Sequence, residues 1–333
     1  MNRILPAEWQ KQRAVLMAFP HKNSDWNSNL KSALVPFIRI AQAIAYKEPV
    51  YIICDKKEDI SDLFCSTRNM SFIEIPTNDT WIRDFGYISV FEDGEMKLLD
   101  FKFDAWGGKF DASLDNVVNR AFHKKGYMGI TPLETIDFVL EGGAIESDGL
   151  GTIMTTSACL CNVNRNGGLT KDKVEEKLAK YLGAKRVLWL DYGYLAGDDT
   201  DSHVDTLARF VDENTIMYVQ CLDEKDEHYV ELHKMEEQLK EFRTFENKKY
   251  TLIPLPMVSA KFDEENNRLP ATYANFLITN GALVYPSYSV KEDKVVHEIF
   301  KDFFVDKEII PVECSRLIEE GGSLHCSTMQ IPF

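Results

Sequence analysis

The sequence predicts an α/β protein built of five repeated strand-helix units closed into a ring, and three observations carry that prediction. Five segments place apolar residues at helical spacing: 29–47, 113–126, 171–182, 227–242 and 294–305. A short β-rich run follows each, at 50–54, 135–140, 186–190, 250–255 and 309–312. Polar loop landmarks at Arg83, Gly143, His203, Asn275 and His325 recur at intervals of roughly 50 to 70 residues, the period of a repeat architecture.

The elements are legible one by one. In the third helix Thr170 sits where an N-cap belongs, and the glycine of Leu182-Gly183 marks the stop. After most helix-strand pairs comes an apolar hairpin, the clearest being 87–90 against 97–101 across Glu92-Asp93-Gly94. Corresponding turns are Ser147-Asp148-Gly149, Asp212-Glu213-Asn214 and Thr279-Asn280-Gly281. Alternating strands and helices would also suit a doubly wound parallel sheet, but such a sheet does not supply a tight turn after almost every unit. Five units of this kind close into a ring with helices outside and polar loops converging on the axis. No linker interrupts residues 1–333, which read as one domain with internal repeats; 261–269 reads as a mobile polar loop.

Composition excludes several classes. Lys and Arg total 38 against 53 Asp and Glu, for a formal net charge of -15. Nucleic acid needs a basic footprint and is excluded as a partner, whereas a negative field favours approach of a cationic small molecule. Residues 1–9 carry no apolar stretch behind a basic start, and no run of about 18 apolar residues occurs, so the chain is expected in the cytoplasm without a membrane partner. Whether copies associate into a homo-oligomer is left open. The cysteines at 54, 65, 159, 161, 221, 314 and 326 form an odd set without a CxxC pair, which suggests neither a disulfide frame nor a zinc ribbon. Cys159-Leu160-Cys161 comes nearest to a metal motif, but its spacing is wrong and no second pair follows. With no phosphate cradle either, no metal or organic cofactor is predicted.

Ionisable residues crowd four of the polar loops: Trp81-Ile82-Arg83-Asp84-Phe85-Gly86, Leu140-Glu141-Gly142-Gly143, Asp199-Thr200-Asp201-Ser202-His203-Val204-Asp205 and Glu320-Gly321-Gly322-Ser323-Leu324-His325-Cys326. Singly, each has an ordinary explanation as a turn cap, a solvated charge or a buried thiol. At equivalent points of a closed ring they meet. One thiol, one imidazole and three carboxylates around a common centre suit attack on a guanidinium carbon, a poor electrophile that needs a thiolate and a rigid hold on the planar cation. Carboxylates supply that hold through paired charge-assisted hydrogen bonds. His203 and Asp205 flank Val204, so on an extended segment both point to one face, while His325 and Cys326 diverge as strand neighbours. His203 is therefore preferred as the acid-base. A papain-like Cys-His hydrolase is the competing reading, but it has no use for Asp84, Glu141 and Asp205, whose charges would raise the cysteine pKa.

At these four clusters the chain resembles the agmatine deiminases and related bacterial-type peptidylarginine deiminases of the pentein, or guanidine-modifying, superfamily. Trp81 to Gly86 matches W-x-R-D-x-G, Leu140 to Gly143 matches L-E-G-G, His203 to Asp205 matches H-V-D, and His325-Cys326 ends G-G-x-x-H-C. The likeness runs from Pro6-Ala7-Glu8-Trp9 and Met17-Ala18-Phe19-Pro20 to the last ten residues, and it implies a five-bladed α/β propeller. By motif it also implies that Asp84 and Asp205 bind the guanidinium, Glu141 helps orient it, His203 is general acid and base, and Cys326 is the nucleophile. Trp81, Arg83 and Asp199 are further candidate substrate contacts. Tyr87 replaces a proline that often follows the first motif, Glu320 replaces a frequent third glycine, and Asp199 stands where some agmatine enzymes have glutamate.

The implied reaction is two-step nucleophilic catalysis through a thiouronium adduct on Cys326, converting agmatine to N-carbamoylputrescine and ammonia on the way to putrescine. Free arginine or peptidyl arginine is the rival substrate, since an α-carboxylate calls for Arg or Lys and the agmatine amine for carboxylates or aromatic faces. The acidic stretch 198–201 favours the amine; Arg165 and Arg209 support the rival. A non-catalytic propeller binding protein is a further alternative.

Overall fold

The computed structural model describes residues 3–333. All five helical segments form, at Leu30–Ala45, Asp115–Lys124, Lys171–Leu182, Tyr229–Glu241 and Glu292–Phe303. Their apolar stripes decide where they lie. In the first helix Ala33, Phe37, Ile40, Ala41 and Ile44 are fully buried at spacings of three and four, a face whose larger side chains each contribute about 2–3 kcal/mol by leaving water. Gly183 ends the third helix in the left-handed conformation at φ 73°, while Thr170 takes the extended N-cap backbone without a side-chain cap bond. The other helix ends move inward or shift by about two residues from the sequence-based bounds because the flanking turns, which carry no apolar signal, begin there.

The repeat is realised as five sheets, each of three or four strands. In the first, Ile88–Glu92 and Glu95–Lys102 form the predicted antiparallel hairpin, and Leu133–Val139 adds in parallel after the helix. The same rule joins Glu146–Ser147, Thr152–Thr156 and Arg186–Leu190; then Ala208–Asp212, Thr215–Gln220 and Thr251–Pro256; then Leu277–Ile278, Ala282–Ser287 and Glu308–Glu313. The fifth sheet uses both ends of the described chain: Thr328–Pro332 pairs antiparallel with Gln12–Ala18, which pairs in parallel with Val50–Cys54, and that strand with Met70–Glu74. A helix thus spans each parallel connection, as chain geometry requires.

Loop 261–269 is pinned at both sides. Phe262 and Arg268 form an isolated antiparallel bridge, Asp263 accepts from the Asn267 amide, and Arg268 is ion-paired with Asp226 and Glu227. No helix among the described residues is long and apolar enough to cross a membrane.

Candidate active site

The first strand of every sheet is preceded by a loop, and these loops carry the residues singled out by the sequence. Asp84 lies on the turn Ile82–Phe85, Glu141 and Gly143 at the turn Gly142–Ala144, His203 and Asp205 at the turn Val204–Thr206, Asn275 just before Leu277–Ile278, and Cys326 just before Thr328–Pro332. Hydrogen bonds knit neighbouring loops together. The Gly143 amide donates to Asp84 Oδ1 at 3.0 Å, Asn275 Nδ2 to Asp205 Oδ2 at 3.3 Å, the Cys326 amide to Asn275 Oδ1 at 3.2 Å, and the Arg83 amide to the Cys326 carbonyl at 3.1 Å. Cys326, His203, Glu141, Asp84 and Asp205 therefore meet at one buried centre, all 5% exposed or less.

One step of the sequence argument is corrected here. His203-Val204-Asp205 is not extended: a single 3-10 turn spans Val204–Thr206, preceded by Asp201 and Ser202 at φ 64° and 66°. The turn still sends both side chains inward. His203 Nδ1 lies 3.6 Å from Asp84 Oδ1, too far for a hydrogen bond, and both its ring nitrogens lack a partner. Glu141 Oε2 and Asp205 Oδ1 are likewise buried without one. Three of these orphaned atoms, Glu141 Oε2, Asp205 Oδ1 and the unprotonated nitrogen of His203, are acceptors, and they ask for a group rich in N–H donors.

Burial pushes the Cys326 thiol well above its usual range, and the Asp205 and Asp84 charges add to that. Asp84 is likewise raised well above the carboxylate range by burial and by Asp205. Glu141 is raised by burial in spite of Arg165. Burial drives His203 down to about 3, which leaves a neutral imidazole. Asp205 differs: burial acts to raise it, but the hydrogen bond and charge of His325 hold it below the usual value. His325 is clamped between Asp205 Oδ2 at 2.7 Å and Glu8 Oε2 at 2.6 Å, one on each ring nitrogen. Burial, Arg209 and Arg83 act to lower its pKa, yet two such contacts require two N–H donors, so the geometry holds an imidazolium. Both ring nitrogens of His325 are thus occupied, whereas those of His203 are not.

Other sequence candidates are redirected. Arg83 is not a substrate contact: its guanidinium turns away, donating to Gln330 Oε1 at 2.6 Å and the His325 carbonyl at 3.4 Å beside Glu8. Arg165 and Arg209 are spent on internal carboxylates, Arg165 on Glu141 at 2.6 Å and on Asp201, Arg209 on Glu146 at 2.5 Å and Glu8 at 3.0 Å. Trp106, to which the sequence assigned no role, donates from Nε1 to Asp84 Oδ2 at 2.9 Å. It is presented by a left-handed run, Ala105 to Gly108, with φ from 53° to 91°. Such a run is costly for non-glycine residues and marks a position fixed for a purpose. The dense Trp106-Gly107-Gly108 turn after Asp104, whose side chain caps the Gly107 amide, was the available signal.

Two glycines shape the centre. A Cβ on Gly143 would lie 2.6 Å from His203 Nδ1 and 2.9 Å from Asp84 Oδ1, so the second glycine of Leu140-Glu141-Gly142-Gly143 leaves the space those groups face. A Cβ on Gly322 would strike the Trp81 ring at 2.5 Å. Outside Trp106 lies a cleft of about 630 Å³, bordered by Trp26, Trp81, Trp106 and Phe110 and by Asp25, Asp79, Asp199, Glu319 and Glu320, with no Lys or Arg on its wall. Asp199 is raised to about 6 by burial and by Asp198. A separate cavity is bordered by Glu8, Arg83, Glu146 and Gln330, and Cys326 is in the wall of neither.

Thiol, imidazole and carboxylates at the hub of a five-unit α/β fold define the guanidine-modifying hydrolases. Within that class, the chain belongs to the Porphyromonas-type peptidyl-arginine deiminase family, whose model matches residues 4–332. It is 32% identical to an agmatine deiminase of Pseudomonas syringae pv. tomato over 98% of this chain and 95% of that protein. The solved structure of a Cys-to-Ser variant of C. jejuni agmatine deiminase with substrate bound superposes with a TM-score of 0.94 at 40% identity, covering 99% of this chain and 96% of that one. The fold alone extends to dimethylarginine dimethylaminohydrolase, at a TM-score of 0.52 and 12% identity over 96% of this chain and 100% of that one.

Proposed function

We propose that the chain is an agmatine deiminase, acting as one catalytic unit. The observation that carries this reading is the set of orphaned acceptors, Glu141 Oε2 and Asp205 Oδ1, beside a neutral His203 and a buried Cys326. A guanidinium supplies N–H donors and one positive charge, the two things that hole lacks. Asp84 and Asp205 grip the cation, and Glu141, itself held by Arg165, orients it. The cation offsets the two carboxylates that hold the Cys326 proton on, so the thiol ionises when substrate arrives and His203 takes its proton. The thiolate forms the C–S bond; the adduct expels one nitrogen as ammonia with the proton carried by His203, leaving an S-alkylthiouronium. His203 then takes a proton from water, the hydroxide adds to the same carbon, the C–S bond breaks, and N-carbamoylputrescine leaves.

The tail decides between substrates. An α-carboxylate would face Asp199 and its acidic neighbours with Arg165 and Arg209 already engaged, whereas the agmatine ammonium would find carboxylates and the Trp81 and Trp106 faces. Like-charge juxtaposition of that kind is worth roughly 100-fold in affinity or more. Ammonia release measured side by side on agmatine, arginine and a peptide with internal arginine tests this, with Cys326→Ala as the inactive control. Agmatine should lead by at least that factor in kcat/KM; equal or faster turnover of arginine would overturn the substrate assignment while leaving the chemistry in place.

A further inference from the structure

We infer that the hub holds a second, inhibitory ligand mode: Glu141, Cys159 and His203 form a three-donor site for a thiophilic divalent cation, Zn2+ being the natural probe. One carboxylate oxygen, one sulfur and one ring nitrogen from these residues all lie within 4.8 Å of one another. All three side chains are fully buried. Neither ring nitrogen of His203 has a hydrogen-bond partner, and Glu141 keeps Oε2 unpartnered because Arg165 engages Oε1. Cys159 takes no part in the reaction derived above. It is fixed by the short helix Ser157–Leu160, whose cap, Thr156 Oγ1, accepts from the Cys159 amide at 3.3 Å. Cys161, its partner in the sequence pair, is only half-buried and stands outside the trio.

Thiolate, imidazole and carboxylate are the donors that zinc selects, and three protein ligands leave one position for water. Ligand atoms around a tetrahedral zinc lie about 3.5 Å apart, so the trio has to close by about an ångström, a side-chain adjustment. The field favours a cation: Asp198, Asp201 and Asp205 act on Cys159 or His203 along with Glu141, and Arg165 and Lys109 are the opposing charges. A metal on His203 removes the group that moves protons, so metal and agmatine exclude one another. That consequence rests on the role proposed for His203; the binding of metal does not.

The test uses the full chain freed of metal, with Zn2+ alone titrated against a chromogenic chelator and Co2+ as the optical probe. The expected result is one Zn2+ per chain in both wild type and Cys326→Ser, with a thiolate-to-cobalt charge-transfer band for Co2+ in each. Cys159→Ala should weaken Zn2+ binding by at least about tenfold, lose the band, keep metal-free turnover and become insensitive to Zn2+. Agmatine added to Cys326→Ser should bleach the band, a readout that holds even where Cys159→Ala folds poorly. Zinc binding that survives Cys159→Ala, or that is lost in Cys326→Ser because the nucleophile is the ligand, would overturn the inference, as would a band that persists under saturating agmatine. Absence of turnover in the metal-free wild type would instead count against the proposed function, with the metal titrations unaffected.

Discussion

Asp84 and Asp205 are the two carboxylates proposed to hold the guanidinium, yet their surroundings push them apart. Asp84 is raised well above the usual range by burial and by the Asp205 charge, whereas Asp205, paired with His325, is held below it. Either asparagine variant removes a charge-assisted bond to the guanidinium, and kcat/KM should fall about 100-fold or more in each. Alkylation of Cys326 by a neutral reagent should rank them: both charges hold the thiol proton on, Asp205 more than Asp84, so Asp205→Asn speeds the reaction more than Asp84→Asn does. Equal acceleration by both would contradict the assignment. A pH dependence follows from the same asymmetry. The bound guanidinium favours ionised Asp84, so binding expels a proton and agmatine affinity, measured by calorimetry on Cys326→Ser, should rise with pH until Asp84 is ionised in the free enzyme as well. The nucleophile, the imidazole and the three carboxylates were legible in the sequence because each sits in a dense local motif. The roles of Asn275, His325 and Trp106 were not, since Asn275 and His325 act on Asp205 from other units of the ring and Trp106 reaches Asp84 from beyond the intervening hairpin, at separations of 22 to 120 residues.

At the scale of single turns, the loop that carries Glu141 sets the size of the hole. Gly143 lies outside the left-handed region, so alanine fits its backbone, and the cost of Gly143→Ala comes from the methyl group pressing on His203 and Asp84. Overpacking of this sort costs about 1–3 kcal/mol of stability. Displacing two reacting groups by an ångström costs about 100-fold in rate. Gly143→Ala should therefore remain folded by circular dichroism, with turnover reduced by at least that factor; retained activity would show that the site has room to spare. Helices and hairpins were readable from periodicity and turn residues, down to the exact bounds of Val50–Cys54 and Arg186–Leu190. The turn at Val204–Thr206 was not, because His-Val-Asp has the alternation of a strand while its geometry is set by what precedes it: Asp198 accepts from the Ser202 amide at 2.7 Å, and Thr200 Oγ1 accepts from the His203 amide at 3.1 Å. Local side-chain bonds of this kind compete with extended structure and leave no periodic trace.

Closure of the whole chain depends on strands and charges brought together from its two ends. Thr328–Pro332 completes the sheet begun by Gln12–Ala18, a pairing hidden from hairpin reading because about 310 residues separate the partners. Beside that closure, Glu48 Oε2 accepts from the Asn280 amide at 3.0 Å, joining the fifth sheet to the hairpin turn of the fourth. Burial raises Glu48 to about 7, and raises Glu146 to about 7 as well. A carboxyl group raised in the folded state keeps its proton after the unfolded chain has lost it, so its stabilisation is complete below about 4.5 and disappears as pH climbs through about 7. His203, His21 and His228 are lowered by burial, and their contribution is complete once pH exceeds the unfolded value of 6.5. Between about 6.5 and 8.5 the buried acids, with Asp79 raised to about 8 by burial beside Glu48 and Glu146, therefore dominate the slope, and growing negative charge on a chain already at -15 acts in the same direction. Stability to urea should fall by about 1–2 kcal/mol across that interval. Glu48→Gln stays neutral at every pH and keeps an acceptor for Asn280, so it should flatten part of the decline and gain on wild type at the alkaline end. A wild-type stability that holds level or rises over the interval would mean that Glu48 and Glu146 ionise in place without cost, with their charges compensated by Lys307 and Arg209.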